Sequence, residues 1–421
     1  MLRLAPQNVK DRFEAYRFFN GISEEAKEGI HHRRTRVPFV KTFLMESVSS
    51  HQNSRPRSAS DIFNSFGVRL RRVDDTFFAV ESPLFDRDNN RSAQTITGFL
   101  EQYDKRFFAY YTSESAKEAK KRVATWIQYP DLDATWYSGP LLQALWDQDV
   151  SGRGDHRFGK LVFNHESIFE MPEDFAISSS EDEDDEEETT GQVEEDLVEI
   201  DRRRARFEMA DRIGRIRRSL TQLQKHYDPL HALYALRFPS MSARGSHDLY
   251  QSGQITNRTD SFEDHRNTVR YLWRIYKSIL ESTEMSAWHK IKPERALQTG
   301  VKGVPLIVKF EERLPQATFD RWIQLGFQKR NRFKLWGDPI RLGPTKVHVY
   351  GADRHLWQPI NLEITADQLV AILPVGTCGN TFHRLVTNIQ HYVSPKIRAW
   401  VGAESFKTLV STWPAVTDET S

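Results

Sequence analysis

Cysteine is the scarcest residue in this 421-residue chain, which has only Cys378. A lone thiol excludes an intramolecular disulfide and any zinc site built on two or more thiolates of one chain. Long apolar runs are also missing. No window approaches the roughly 18 consecutive apolar residues that a spanning helix needs. The opening MLRLAPQNVKDRFEAYRFFN has no apolar stretch long enough for a secretory signal. A cytoplasmic or nuclear location is therefore expected, with no membrane partner, and the sequon at Asn257-Arg258-Thr259 reads as chance.

Chemical signatures are equally sparse. The P-loop pattern GxxxxGK[ST] does not occur, and none of the 14 histidines forms HxxxH with an acidic neighbour. Asp86, Asp88 and Asn90 have the spacing of a calcium loop. Arg91 stands where that loop needs glycine, however, and Thr97 where it needs a bidentate glutamate. The expectation is no metal and no cofactor.

What the chain does have is a segregation of charge. The run EDEDDEEE occupies residues 181–188, and the segment 176–200 carries 12 acidic residues and no basic one. Residues 1–175 hold 25 basic and 25 acidic side chains, so the remaining part holds 34 basic against 21 acidic. The formal net charge of +1 hides this asymmetry. Such a pattern points to a polyanionic partner, or to a segment that imitates one. Aromatics at 12% supply enough apolar area to argue against wholesale disorder.

Apolar periodicity organises the rest. Phe13, Tyr16, Phe19 and Ile22 predict a helix over residues 8–30. Residues 37–44, 68–73, 76–80, 107–111 and 160–163 predict strands, with Asp74-Asp75 turning a hairpin. Ala205, Met209, Ile213, Ile216, Leu220, Leu223 and Tyr227 recur at steps of three and four, which predicts one long amphipathic helix over residues 195–227. Ser261 opens another helix with a variant capping box. Beyond it, residues 304–310 and 345–350 read as strands, and 318–327, 365–373 and 381–393 as helices. The expected fold class is α+β: two mixed helix/strand domains, residues 1–173 and 197–421, joined by a disordered acidic linker, 174–196, and the long amphipathic helix. Like charges at this density repel and bury no core.

Three stretches could carry chemistry. Arg202, Arg203, Arg206, Arg212, Arg215 and Arg218 fall off the apolar stripe, and guanidinium groups match phosphate oxygens two at a time. The alternative is a solvated helix whose arginines pair locally with carboxylates, as Asp211 can with Arg215. In the stretch 327–350, Lys329, Arg330, Arg332, Lys334, Arg341 and Lys346 interleave with Phe333 and Trp336, the composition of a single-strand surface. No RNA-recognition-motif signature accompanies them, and the aromatics also suit a core beside a basic rim. In LPVGTCGNTFHR, residues 373–384, Gly376, Gly379, Asn380 and Thr381 could present free N–H groups to an anion at a helix start. Cys378 could then act as a nucleophile with His383 as base, provided the two meet at about 3 Å. The bland alternative is an inert cysteine in a capping turn.

The leading expectation is a non-enzymatic interaction protein. Its basic C-terminal region would bind a polyanion, most plausibly RNA or DNA, with the acidic linker competing for the same surface. A self-assembling structural protein, such as a nucleocapsid or coat subunit, and a cysteine-dependent enzyme centred on Cys378 are the alternatives. Protein partners and a homo-oligomer are compatible with the first two.

Overall fold

The computed structural model describes residues 6–32, 37–47, 58–85, 91–150, 154–170, 204–240, 242, 244–294, 298–327 and 331–412. The acidic segment 174–196 lies outside them, as do Arg202, Arg203, Lys329 and Arg330.

Antiparallel sheet dominates. The larger sheet comprises β1 (Lys41–Glu46), β2 (Arg69–Arg72), β3 (Phe77–Phe85), β4 (Arg91–Gln102), β5 (Phe107–Thr112), β6 (Asp133–Ala134), β7 (Phe158–Glu166), β8 (Arg204–Arg212), β9 (Leu233–Pro239), β10 (Ser246–Tyr250) and β11 (Gln254–Asn257). Its order is β2-β3-β4-β5-β1-β11-β10-β9-β7-β8, with β6 also pairing β1. A separate ribbon pairs β12 (Lys290–Glu294) with β13 (Gln298–Lys302). The smaller sheet contains β14 (Leu306–Phe310), β15 (Leu335–Gly343), β16 (Lys346–Asp353), β17 (Gln358–Thr365), β18 (Gln368–Ile372), β19 (Ile397–Val401) and β20 (Glu404–Ser405), in the order β15-β16-β17-β18-β14-β19-β20. The helices are α1 (Arg12–His32), α2 (Ala59–Asn64), α3 (Ala116–Trp126), α4 (Gly139–Leu145), α5 (Ile213–Leu223), α6 (Phe262–Ala287), α7 (Gln316–Gly326), α8 (Asn380–Tyr392) and α9 (Phe406–Leu409).

Both helices and antiparallel strands are present, as the α+β expectation requires, but sheet outweighs helix. The larger sheet also crosses the expected boundary. Lys41, Thr42 and Phe43 of β1 pair with Thr256, Ile255 and Gln254 of β11. Strands from both sides of the acidic segment therefore share one ladder, and the division at residues 173 and 197 does not mark the edge of a sheet.

The expected long helix is corrected. Residues 204–212 form β8, paired to β7 from Phe158↔Arg212 to Glu166↔Arg204, and only residues 213–223 form α5. The physical reason lies in the spacing. A step of four, as from Ala205 to Met209, returns to the same face in a helix and in a strand alike. In a strand Phe207, midway between them, joins that face, and Phe207 and Met209 both pack against the core. From Ile213 onward the steps of three and four hold, and Ile213, Ile216 and Leu220 are buried. A second correction concerns residues 365–373, which hold β18 rather than a helix. Leu369 and Ala371 point inward at period two, and the strand is clamped between β14 and β17.

Burial explains the architecture. Every residue of β5, FFAYYT, is buried, because this part of the larger sheet is covered on both faces. One face packs Phe43, Met45, Phe108 and Tyr110 against Ile62, Phe63 and Trp126 of α2 and α3. The other joins a continuous core running through α1, α6 and α8 into the smaller sheet, where Leu306, Val308, Leu362 and Ile364 belong to the same cluster. All thirteen residues of α8 are buried. That helix carries His383, Arg384, Asn388 and His391, so its polar groups need partners inside the protein.

Candidate functional site

The partners of α8 form a buried polar centre between the two sheets. It has two halves. In the first, Glu46 comes from the end of β1, Arg106 from the β4–β5 turn, Glu284 from the last turn of α6, and Cys378 from the approach to α8. Arg106 donates from Nε to Glu46 Oε2 at 3.1 Å, and from Nη1 and Nη2 to Glu284 at 3.1 and 2.7 Å. Nη2 also lies 3.2 Å from Cys378 Sγ, and the thiol donates to Glu46 Oε1 at 2.9 Å. His355 Nε2 stands 3.5 Å from the same Oε1.

In the second half, Asp133 of β6 and Asp353 at the end of β16 face Lys334 and Arg384. Lys334 Nζ lies 3.2 Å from Asp133 and donates to the Leu132 carbonyl at 3.0 Å. Arg384 donates to Asp133, to Asp353 at 2.5 Å and to the Phe333 carbonyl at 2.9 Å. Asn380 bonds Asp133 and the Ala134 carbonyl and accepts from Tyr276, while Thr381 donates to Asp353. Charges survive here because each meets an opposite charge and a hydrogen bond.

Electrostatics follow the contacts. Burial alone would raise the Glu46 carboxyl, but Arg106, His355 and Cys378 outweigh it and hold the group below its ordinary range. Asp133 resists burial in the same way: Lys334 and Arg384 bring it down to about 2. Burial lowers Lys334 against the pull of Asp133. Burial, then the Glu46 charge, push the Cys378 thiol well above its ordinary value despite Arg106. The local backbone is also unusual. Lys334, Leu356 and Trp357 have φ of 53°, 64° and 51°, a left-handed conformation that side chains other than glycine rarely adopt. Each such residue costs on the order of 1–3 kcal/mol. Two of the three directly follow His355 in the chain, and the third is itself part of the centre.

The sequence expectations map onto this centre unevenly. Cys378 and His383 do not make the expected pair. Cys378 is bound to Glu46 and Arg106, and its raised pKa disfavours a thiolate. Both ring nitrogens of His383 are buried without a hydrogen-bond partner among the described residues. The anion expected at the start of α8 is supplied by the chain itself: the Gly379 N–H donates to Glu284 Oε1 at 2.8 Å. A side chain at Gly379 would collide with Glu284 Cγ at 2.8 Å. Gly376, at φ 87°, makes the preceding turn, and Asn380 and Thr381 face inward rather than toward a ligand.

Among the expected nucleic-acid contacts, Lys334 is corrected, since it is buried against Asp133. Arg332 is half-buried beside it, and Arg206 is half-buried in β8. Arg341 is exposed but donates to Asp320 at 2.7 Å, and Lys346 pairs with Glu363 at 3.0 Å. Trp336 is 56% exposed on β15. Arg212, Arg215 and Arg218 are exposed at α5. Arg332 and Arg204, one near each basic stretch, both act on the Glu166 carboxylate. Sequence reasoning missed Glu46, Arg106, Asp133, Glu284, Asp353, His355 and Arg384. Single charged residues at scattered positions give no periodic signal, and only Asp353 and His355 lie close together in the chain.

A two-sheet antiparallel fold with a closed ionic centre describes the class of architecture. The family model described as "MJECL33-like protein" matches residues 5–408, so the chain belongs to the MJECL33-like family. It is 27% identical over 143 residues to a Methanocaldococcus jannaschii protein named "Uncharacterized protein MJECL33". That stretch covers 34% of this chain and spans about a third (33%) of the relative. No solved structure matches the chain.

Proposed function

We propose that this protein is a non-enzymatic interaction protein that binds a polyanion, most plausibly nucleic acid, through the exposed face of α5. One observation carries the reading. Arg212, Arg215, Arg217, Arg218 and Lys225 are all exposed on or beside this short helix. Asp211 pairs with Arg215 at 3.5 Å and Asp155 with Arg217 at 3.4 Å. Arg215, Arg218 and Gln222 fall on one line of the helix, opposite the buried Ile213, Ile216 and Leu220. The acidic segment 176–200 precedes this surface in the chain and would compete with a ligand for it at high effective concentration.

Binding of the full chain to a fluorescent single-stranded oligonucleotide, titrated with salt, tests this. Each phosphate contact contributes a slope of about −0.7 for single strands. The double variant Arg215→Ala/Arg218→Ala is expected to flatten the slope by about 1.4 and to weaken binding at low salt. An unchanged slope removes α5 from the interface.

A second reading, self-association, has its own support. The outer face of β15 and β16 exposes Trp336, Ile340 and, at 69%, Tyr350, apolar side chains set around Asp338 on a sheet edge. Light scattering at micromolar concentration is expected to show a dimer or larger species that Trp336→Glu/Tyr350→Glu returns to monomer. A monomeric wild-type chain sinks this second reading.

A further inference from the structure

We propose that Glu46, His355 and Cys378 bind one divalent metal ion of the zinc class, which ties the two sheets together. The site draws on different residues from the polyanion surface and does not depend on that reading. One donor atom from each of these three residues lies within 4.8 Å of the others. Bonds of about 2.0–2.3 Å in a tetrahedral shell place ligand atoms roughly 3.3–3.8 Å apart. Glu46 Oε1 and His355 Nε2 already stand 3.5 Å apart. Sγ is closer to Oε1, at 2.9 Å, because a proton now bridges them. Replacing that proton with a metal ion opens this edge by about half an ångström, within the reach of a side-chain adjustment.

His355 is the observation that points to a ligand. Its Nδ1 lies 2.9 Å from the Pro130 carbonyl, which can only accept, so Nδ1 carries the proton. In the neutral ring, the form that a metal ion binds, Nε2 then holds a lone pair. That atom is fully buried, has no hydrogen-bond partner among the described residues, and faces Oε1. A ring held through Nδ1–H by a carbonyl, with Nε2 turned to the ion, is how metal-ligating histidines are oriented. The other donors are held in a comparable way. Arg106 occupies Glu46 Oε2 and leaves Oε1 to the site, and the Cys378 N–H donates to Gln358 Oε1 at 2.6 Å.

Charge gives an independent argument. In the Asp133 half, two carboxylates face two cations and the charges cancel. In the Glu46 half, two carboxylates face the single guanidinium of Arg106, which leaves one negative charge in excess in a water-excluded place. Binding a divalent ion balances it: the thiol proton leaves to solvent, a metal–sulfur bond forms, and no electron changes hands. The local charge falls to zero. Three protein donors leave at least one further coordination position.

The test uses the full chain, reduced and stripped with chelator, then titrated with Co(II) as a spectroscopic stand-in for zinc. One equivalent should bind with a thiolate-to-cobalt charge-transfer band in the near ultraviolet and tetrahedral bands in the visible. Added Zn(II) should abolish both. Because Cys378 is the only cysteine, the charge-transfer band reports on it alone. His355→Gln should weaken cobalt binding at least tenfold, and Cys378→Ser should remove the near-ultraviolet band. A folded wild-type chain that shows no such band overturns the proposal, and this holds even if a variant fails to fold. Cobalt binding that His355→Gln leaves unchanged overturns the three-residue site as well.

Discussion

Arg384→Met is expected to destabilise the protein by about 3–5 kcal/mol, the cost of stripping one partner from a buried ion pair. Arg384 is fully buried and holds Asp133, Asp353 and the Phe333 carbonyl at once. Methionine fills similar volume, so lost packing is not the main term. What remains is two carboxylates facing Lys334 alone, in a place where water cannot replace the guanidinium. Urea denaturation at neutral pH measures the loss. Arg384→Lys keeps the charge but loses the planar fork, and should fall between wild type and Arg384→Met. Adding Asp353→Asn to Arg384→Met should recover part of the loss, since it removes the orphaned charge. A loss below about 1 kcal/mol for Arg384→Met would mean that the centre is hydrated, and the closed-network account would be wrong.

Acidification from pH 6.5 to 4 is expected to remove several kcal/mol of stability, with buried histidines as the cause. Burial lowers His165 and His383 to about 4 each, and lowers His265 well below its ordinary value. In the unfolded chain these groups protonate near 6.5. Between about 4 and 6.5 the unfolded state therefore binds more protons than the folded state, so stability rises with pH across that window and is lost as pH falls through it. A displacement of this size is worth on the order of 3 kcal/mol per histidine. Asp133, with a folded value of about 2, adds to the loss only below its ordinary value of 3.8. His383 offers the clean probe. Its ring packs against Tyr276 and Phe406 with centroids 5.5 and 5.3 Å away. His383→Phe should preserve stability at pH 7 and flatten the acid limb. Urea midpoints at pH 7, 5.5 and 4.5 decide the matter; an unaltered pH dependence in the variant rules out this assignment.

Periodicity carried the reading of the elements where each obeyed one period. Phe382, Leu385, Val386 and Ile389 mark α8 because steps of three and four exclude a strand, and the short apolar and aromatic runs at residues 37–44 and 107–111 mark β1 and β5. It failed where the spacing served two periods. Ala205 and Met209 fit a helix and a strand equally, and only pairing with β7 made the choice. The centre was less legible still. Cys378 attracted notice for being unique, but its neighbours Glu46, Arg106 and Glu284 are 332, 272 and 94 positions away in the chain, and Lys334, expected on a basic surface, is buried.

The chain's own composition determined the exclusion of disulfides, the separation of acidic from basic charge, and the positions of the longer helices and of some strands, because these depend on residue identity and on spacing within a few residues. The tertiary structure alone decided that strands from either side of the acidic segment share a sheet, and which charges are buried together. Strand order and buried pairing are contacts between distant parts of the chain, and desolvation acts on a group only after those parts have met.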